Sequence, residues 1–138
     1  MNSTAVRLAL VGVLLGLLAV VAVVRSRRKP DISARVGGLY SVESGDRRFG
    51  VAKVLVVEAG IVHVRVYAEK FPTRPSSLDE STLSLGTIHD QDFGIGHLAL
   101  QPAGFAAWQP ALIKVVPVKA DELDGYEEWK RAGGGVWN

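Results

Sequence analysis

Hydrophobic positions along this chain follow two regimes. Residues 8–24 form seventeen consecutive uncharged positions, all Leu, Val, Ala or Gly. From residue 37 onward the apolar residues come instead in short runs, broken by Gly, Pro and charged turns. The first regime predicts a transmembrane helix: at 1.5 Å per residue it spans roughly 26 Å, slightly under the ~30 Å of a hydrocarbon core. Snorkelling of Arg7 at one end and of the basic cluster Arg25, Arg27, Arg28 and Lys29 at the other makes up the shortfall. Gly12 and Gly16 form a Gly-x-x-x-Gly spacing that permits self-association through close helix approach. The competing reading is a cleaved signal peptide, with Val20-Val21-Ala22 as a small-residue cleavage site. The positive charges oppose it, because they follow the apolar run rather than precede it. One Arg before and four basic residues after the run predict an outward N-terminus and a cytoplasmic globular domain.

The second regime predicts an α+β domain. The chain divides into residues 1–29, a transmembrane helix with its basic flank; residues 30–36, a polar linker; and residues 37–138, a small β-rich domain. After Gly37-Gly38, Leu39-Tyr40-Ser41-Val42 is a candidate first strand. Residues 49–57 and 61–67 are rich in Val and aromatic residues and are separated by Glu58-Ala59-Gly60, the pattern of a hairpin. A three-residue loop ending in a left-handed Gly predicts a register with Val54, Val56, Val62, Val64 and Val66 on one face. Lys53, Leu55, His63, Arg65 and Tyr67 then face the other way, with Glu69 as the acidic neighbour that relieves Lys53 against Arg65. Residues 71–77, with two prolines, read as a loop. Residues 81–85 read as a short strand, 90–96 as a loop, 96–100 as a strand, 102–108 as a helical turn and 112–118 as a further strand. Residues 122–132 form the clearest helix, with acidic residues early and Lys130 and Arg131 late, as the helix dipole favours. Leu123, Tyr126 and Trp129 share one side of it, and Gly133-Gly134-Gly135 ends it. The expected architecture is an N-terminal transmembrane helix plus a small, mainly antiparallel sheet or partly open barrel with a C-terminal helix.

Charge changes the picture when counted by segment. The isoelectric point of about 9.1 suits a basic protein, yet all 14 acidic residues lie at Asp31 or later. Residues 30–138 carry eleven basic against fourteen acidic side chains, a net charge of −3. The basicity belongs to the membrane flank, which attracts anionic headgroups, and the domain lacks the basic balance of a nucleic-acid binder. With no cysteine, disulfides, thiol catalysis and cysteine-ligated metal are excluded. His89, Asp90, Asp92 and His97 are the candidate metal ligands, although their spacing matches no established metal motif. Gly94-Ile95-Gly96 lacks the third Gly and the context of a dinucleotide fingerprint. His63, Arg65 and Tyr67, on the outer face of the hairpin, form a candidate binding patch. Trp137, beside the chain end, is the aromatic most exposed by position and a candidate partner contact; the other late aromatics belong to a core. No cofactor is expected.

The hairpin region, residues 49–71, is similar to the central hairpin of SH3-like and Tudor-like small barrels, which implies a curved sheet. The stretch Ser84-Leu85-Gly86-Thr87-Ile88-His89-Asp90, through Phe93-Gly94-Ile95-Gly96-His97 to Phe105-Ala106-Ala107-Trp108-Gln109-Pro110, resembles a family of bacterial membrane-anchored proteins of unknown function, and so implies no activity. An anchor, a short spacer and a mildly acidic domain without a catalytic constellation predict an interaction or scaffold module that holds a protein partner at the membrane surface. A small metal-dependent hydrolase and a toxin-immunity protein are the alternatives.

Overall fold

A near-continuous apolar run such as Val51 to Val57, interrupted only by Lys53, suits a sheet covered on both faces. The computed structural model describes residues 33–138. Among them, five strands form one antiparallel sheet: β1 (Gly38–Glu43), β2 (Phe49–Glu58), β3 (Ile61–Val66), β4 (Ile95–Leu100) and β5 (Ala111–Val115). Their order is β4-β3-β2-β1-β5, so β4 and β5 are edges and the sheet stays open rather than closing into a barrel. Helix α1 (Pro102–Ala107) follows β4 and helix α2 (Asp124–Arg131) closes the chain, the latter entered through a 3₁₀ turn at Ala120–Leu123. The apolar run 8–24, Gly12, Gly16 and the flanking residues Arg7, Arg25, Arg27, Arg28 and Lys29 lie outside the described residues. Among the described residues no helix is long and apolar enough to cross a membrane.

The first face buries Tyr40, Val42, Ala52, Val54, Val62, Val64 and Leu100 against Phe105 of α1. Tyr40 and Phe105 meet edge to face with ring centroids 5.4 Å apart, the geometry favoured by the aromatic quadrupole. The second face buries Leu39, Val51 and Tyr67 beneath Phe71, Leu78, Leu83 and Val116. Odd positions of β1 and β2 therefore serve one core and even positions the other, as period-two alternation requires.

Three local expectations are corrected. Glu58 pairs directly with Ile61, so the hairpin loop is the two-residue Ala59-Gly60. Both have positive φ, 48° and 74°, the mirror-image turn whose twist matches the flanking strands. The extra residue sits within β2 instead: Val54 opposes Val64 and Val56 opposes His63, leaving Leu55 as a β-bulge. Val57, not Val56, consequently stands opposite Val62. Residues 81–85 are not a strand. Asp79 accepts hydrogen bonds at its Oδ1 from the Ser81 N–H at 3.0 Å and the Ser81 hydroxyl at 2.8 Å. These local bonds draw Glu80–Thr82 into a 3₁₀ turn, the usual competition of short polar side chains with a ladder. Glu69 binds the Ser84 N–H at 3.0 Å and the Ser84 hydroxyl at 2.7 Å, and is not the partner of Lys53.

Candidate functional site

Helix α2 and the turn before it cover two polar clusters on the second face of the sheet. Lys53 stands in the middle of β2 and is fully buried. Its Nζ donates to Glu80 Oε1 at 2.7 Å, to the Pro117 carbonyl at 2.9 Å and to the Glu122 carboxylate, whose Oε2 lies at 2.9 Å. Three partners match the three N–H bonds of an ammonium group. Glu122, itself buried, also accepts the Lys119 N–H at 2.8 Å and the Tyr67 hydroxyl at 3.3 Å. Burial pushes the Glu122 carboxyl upward, but the Lys119 N–H and the Lys53 ammonium outweigh it and hold the group below the ordinary carboxylate range. Burial and the nearby carboxylates of Glu122 and Glu80 raise the Tyr67 phenol, so it stays protonated and donates. The cluster ties β2 to both 3₁₀ turns and to the segment after β5.

The second cluster is aromatic. His63 on β3 is fully buried, with its Nδ1 2.9 Å from Nε2 of His97 on β4. Their ring planes are 19° apart with centroids 5.2 Å from one another, a side-by-side arrangement. Tyr126 and Trp129 of α2 close over His63 edge-on, at 4.9 and 4.6 Å between centroids. The Tyr126 hydroxyl donates to Glu58 Oε1 at 2.6 Å, and that oxygen lies 3.9 Å from Nε2 of His63. One ring nitrogen of the pair donates to the other, and the remaining His63 nitrogen, Nε2, is buried without a hydrogen-bond partner. Burial holds both imidazoles below the ordinary histidine value, and for His97 the neighbouring His63 adds to the effect.

The expected site residues are distributed differently from their order in the chain. His63, Arg65 and Tyr67 share a face, but His63 and Tyr67 are buried, so the three do not form an open patch. His89, Asp90, Asp92 and His97 do not converge. His97 belongs to the histidine pair, Asp92 accepts both terminal nitrogens of Arg48 at 2.8 and 2.9 Å, and Asp90 Oδ2 accepts the Thr87 N–H at 2.6 Å. His89 is exposed. Among the described residues no three side chains are gathered as a metal would need. Trp137 is 66% exposed, in keeping with its position. Sequence reasoning missed Lys53, Glu80 and Glu122 as one unit. The available signal was a lone lysine within the apolar run Val51-Ala52-Lys53-Val54-Leu55.

An open concavity lies elsewhere, on the first face. A groove of about 480 Å³ runs between the C-terminal end of α1 and the sheet. Val42, Val66, Ile95, Leu98, Ala107 and Trp108 give it apolar walls, and Glu43, Ser44, Gly45 and Lys70 complete its lining. Helix α1 is only six residues long, too short to cover this face, which leaves Leu98 and Val66 half-buried. Lys53, His63 and Glu122 are buried while Glu80, His97 and Trp129 are half-buried, and His63 Nε2 makes no hydrogen bond; the groove is a place where a ligand side chain fits without opening the fold.

No protein-family model matches the chain, and no curated protein or solved structure is significantly similar to it.

Proposed function

We propose that the protein is a single-pass membrane protein whose domain docks a protein partner at the cytoplasmic surface. The apolar run 8–24 is the anchor and the four basic residues behind it retain the domain inside. The apolar groove carries the reading. A concavity with six apolar wall residues and two charged ones suits one or two apolar side chains from a partner segment, with Lys70 and Glu43 supplying orientation. The buried side chains of Lys53, Glu122 and His63 lie on the other face of the sheet, away from the groove, where they fix the scaffold.

A photo-crosslinking residue in place of Ile95, compared with one in place of the exposed Glu128 on α2, tests the reading in native membranes. The expected result is a discrete protein adduct from position 95 that is missing from position 128. Ala107→Arg fills the groove from an exposed position and should abolish the adduct. Adducts of equal yield from both positions, or an adduct indifferent to Ala107→Arg, would refute the groove as the docking site.

A further inference from the structure

Nine large hydrophobic residues are exposed among the described residues, and five of them lie at one end of the sheet: Val36, Val57, Val115, Val136 and Trp137. Pairing places four of them in a row, and Val136 precedes Trp137 in the chain. Trp137 bridges Leu100 on β4, Leu100 opposes Val62 on β3, and Val62 opposes Val57 on β2. Val36 occupies the turn leading into β1. Its neighbour Gly37 donates to the Val54 carbonyl and accepts from the Val116 N–H, while Val115 opposes Gly38. The row thus crosses the ends of all five strands, roughly 20 Å at the usual strand spacing. An exposed apolar row of this extent marks a contact surface.

The chain itself indicates what covers it. Val36 is seven residues beyond Lys29, the last member of the basic cluster, a reach of at most ~25 Å when fully extended. The opposite end of the sheet, with Ile88, Phe93 and Ile95 exposed, lies a further strand length away, ~20 Å for six residues. On the anchor reading the linker ties this end of the domain, rather than the opposite one, to within that reach of the membrane surface. A tryptophan is the residue suited to that depth, since its ring body is apolar and its N–H is polar.

We infer that this apolar row rests in the interfacial zone of the bilayer and sets the orientation of the domain on it. Glu43, Val66 and Ile95, which line the groove, stand at the other ends of their strands. Seating the row on lipid turns the groove away from the membrane, open to a partner. The inference rests on the anchor reading above.

The chain has no cysteine, so single positions can be labelled cleanly. An environment-sensitive fluorophore is attached to full-length protein carrying Val57→Cys, Val115→Cys or Ile88→Cys, reconstituted in vesicles of phosphatidylcholine and phosphatidylglycerol. All three positions are exposed, and unchanged near-ultraviolet circular dichroism verifies the fold. The expected result is a blue-shifted emission at positions 57 and 115, quenched several-fold more strongly by spin-labelled lipid than at position 88. A chain that floats with the vesicles while positions 57 and 115 behave like position 88 overturns the inference and leaves the anchor standing. Labels at 57 and 115 that are shielded from iodide yet not quenched by lipid indicate a protein contact and overturn it as well. A chain that does not float overturns both readings.

Discussion

Lys53 and Glu122 are both removed from water, so each depends on the other. The desolvation of two ions is offset only while their pairing and added hydrogen bonds stay intact. Lys53→Met leaves Glu122 as an uncompensated buried carboxylate and should cost about 3–5 kcal/mol in denaturant unfolding. Adding Glu122→Leu to Lys53→Met should recover much of that loss, because the buried charge is removed. A double variant as unstable as Lys53→Met alone would show that packing, not charge, dominates there. The histidine pair responds to pH with a definite sign. Both imidazoles titrate below the unfolded value of 6.5, so the folded state favours the neutral form and the unfolded state takes up protons first. Stability is complete above pH 6.5 and falls as the pH drops from there toward the depressed folded values. Glu122 loses its contribution only below its unfolded value of 4.5, so the two windows separate. His97→Gln keeps a hydrogen-bonding partner for His63 and cannot titrate; unfolding midpoints measured between pH 7 and pH 5 should then decline less steeply than in the natural protein.

Helix α2 illustrates how an element depends on its docking. Its eight residues are too few for an isolated helix to persist in water. Its sequence nevertheless marks its ends: Asp124 and Glu127 lie in the first turn and Lys130 and Arg131 in the last. Close approach to the sheet is set at Gly125, where an added Cβ would lie 2.6 Å from Cβ of His97. At an open helical position Gly→Ala stabilises by about 1 kcal/mol. Here Gly125→Ala should destabilise, because α2 must lift from β4 and loosen Tyr126 and Trp129 over His63. A melting temperature lowered by several degrees is the expected outcome, as about 1 kcal/mol shifts a domain of this size by 4–8 °C. An unchanged or raised melting temperature would mean that the helix slides without loss.

The charge asymmetry about residues 8–24 acts on the whole molecule. It predicts that a C-terminal tag resists external protease in intact cells and is cut after permeabilisation. Cutting in intact cells would invert the orientation and move the partner search to the outer side. Within the domain, much of the architecture was legible from periodicity. The hairpin, the strands around residues 39–42 and 96–100, the turn at Pro102 and the final helix follow from local patterns that the structure retains, while the strand expected over 112–118 stops at Val115. The strand at 81–85 was misread because Asp79 captures the Ser81 backbone, a three-residue interaction that outweighs β-propensity in so short a run. The binding patch at His63, Arg65 and Tyr67 was misread for a different reason. Alternation gives the face on which a side chain stands and is silent on what covers that face.

The sequence by itself determined the long apolar run with its basic flank, the α+β class, and the alternation that puts Val54, Val62 and Val64 on one face and Lys53, His63 and Arg65 on the other. These depend on interactions between near neighbours and on the period of the backbone. Only the tertiary structure decided that Leu55 bulges, that Lys53 is buried against Glu80 and Glu122 from distant turns, and that His97 joins His63 rather than Asp90 and Asp92. It also decided that exposed apolar residues drawn from turn, strand and tail line up across one end of the sheet. Each of these juxtaposes residues tens of positions apart, and their energies come from desolvation and packing that exist only once the sheet and its covering segments have met.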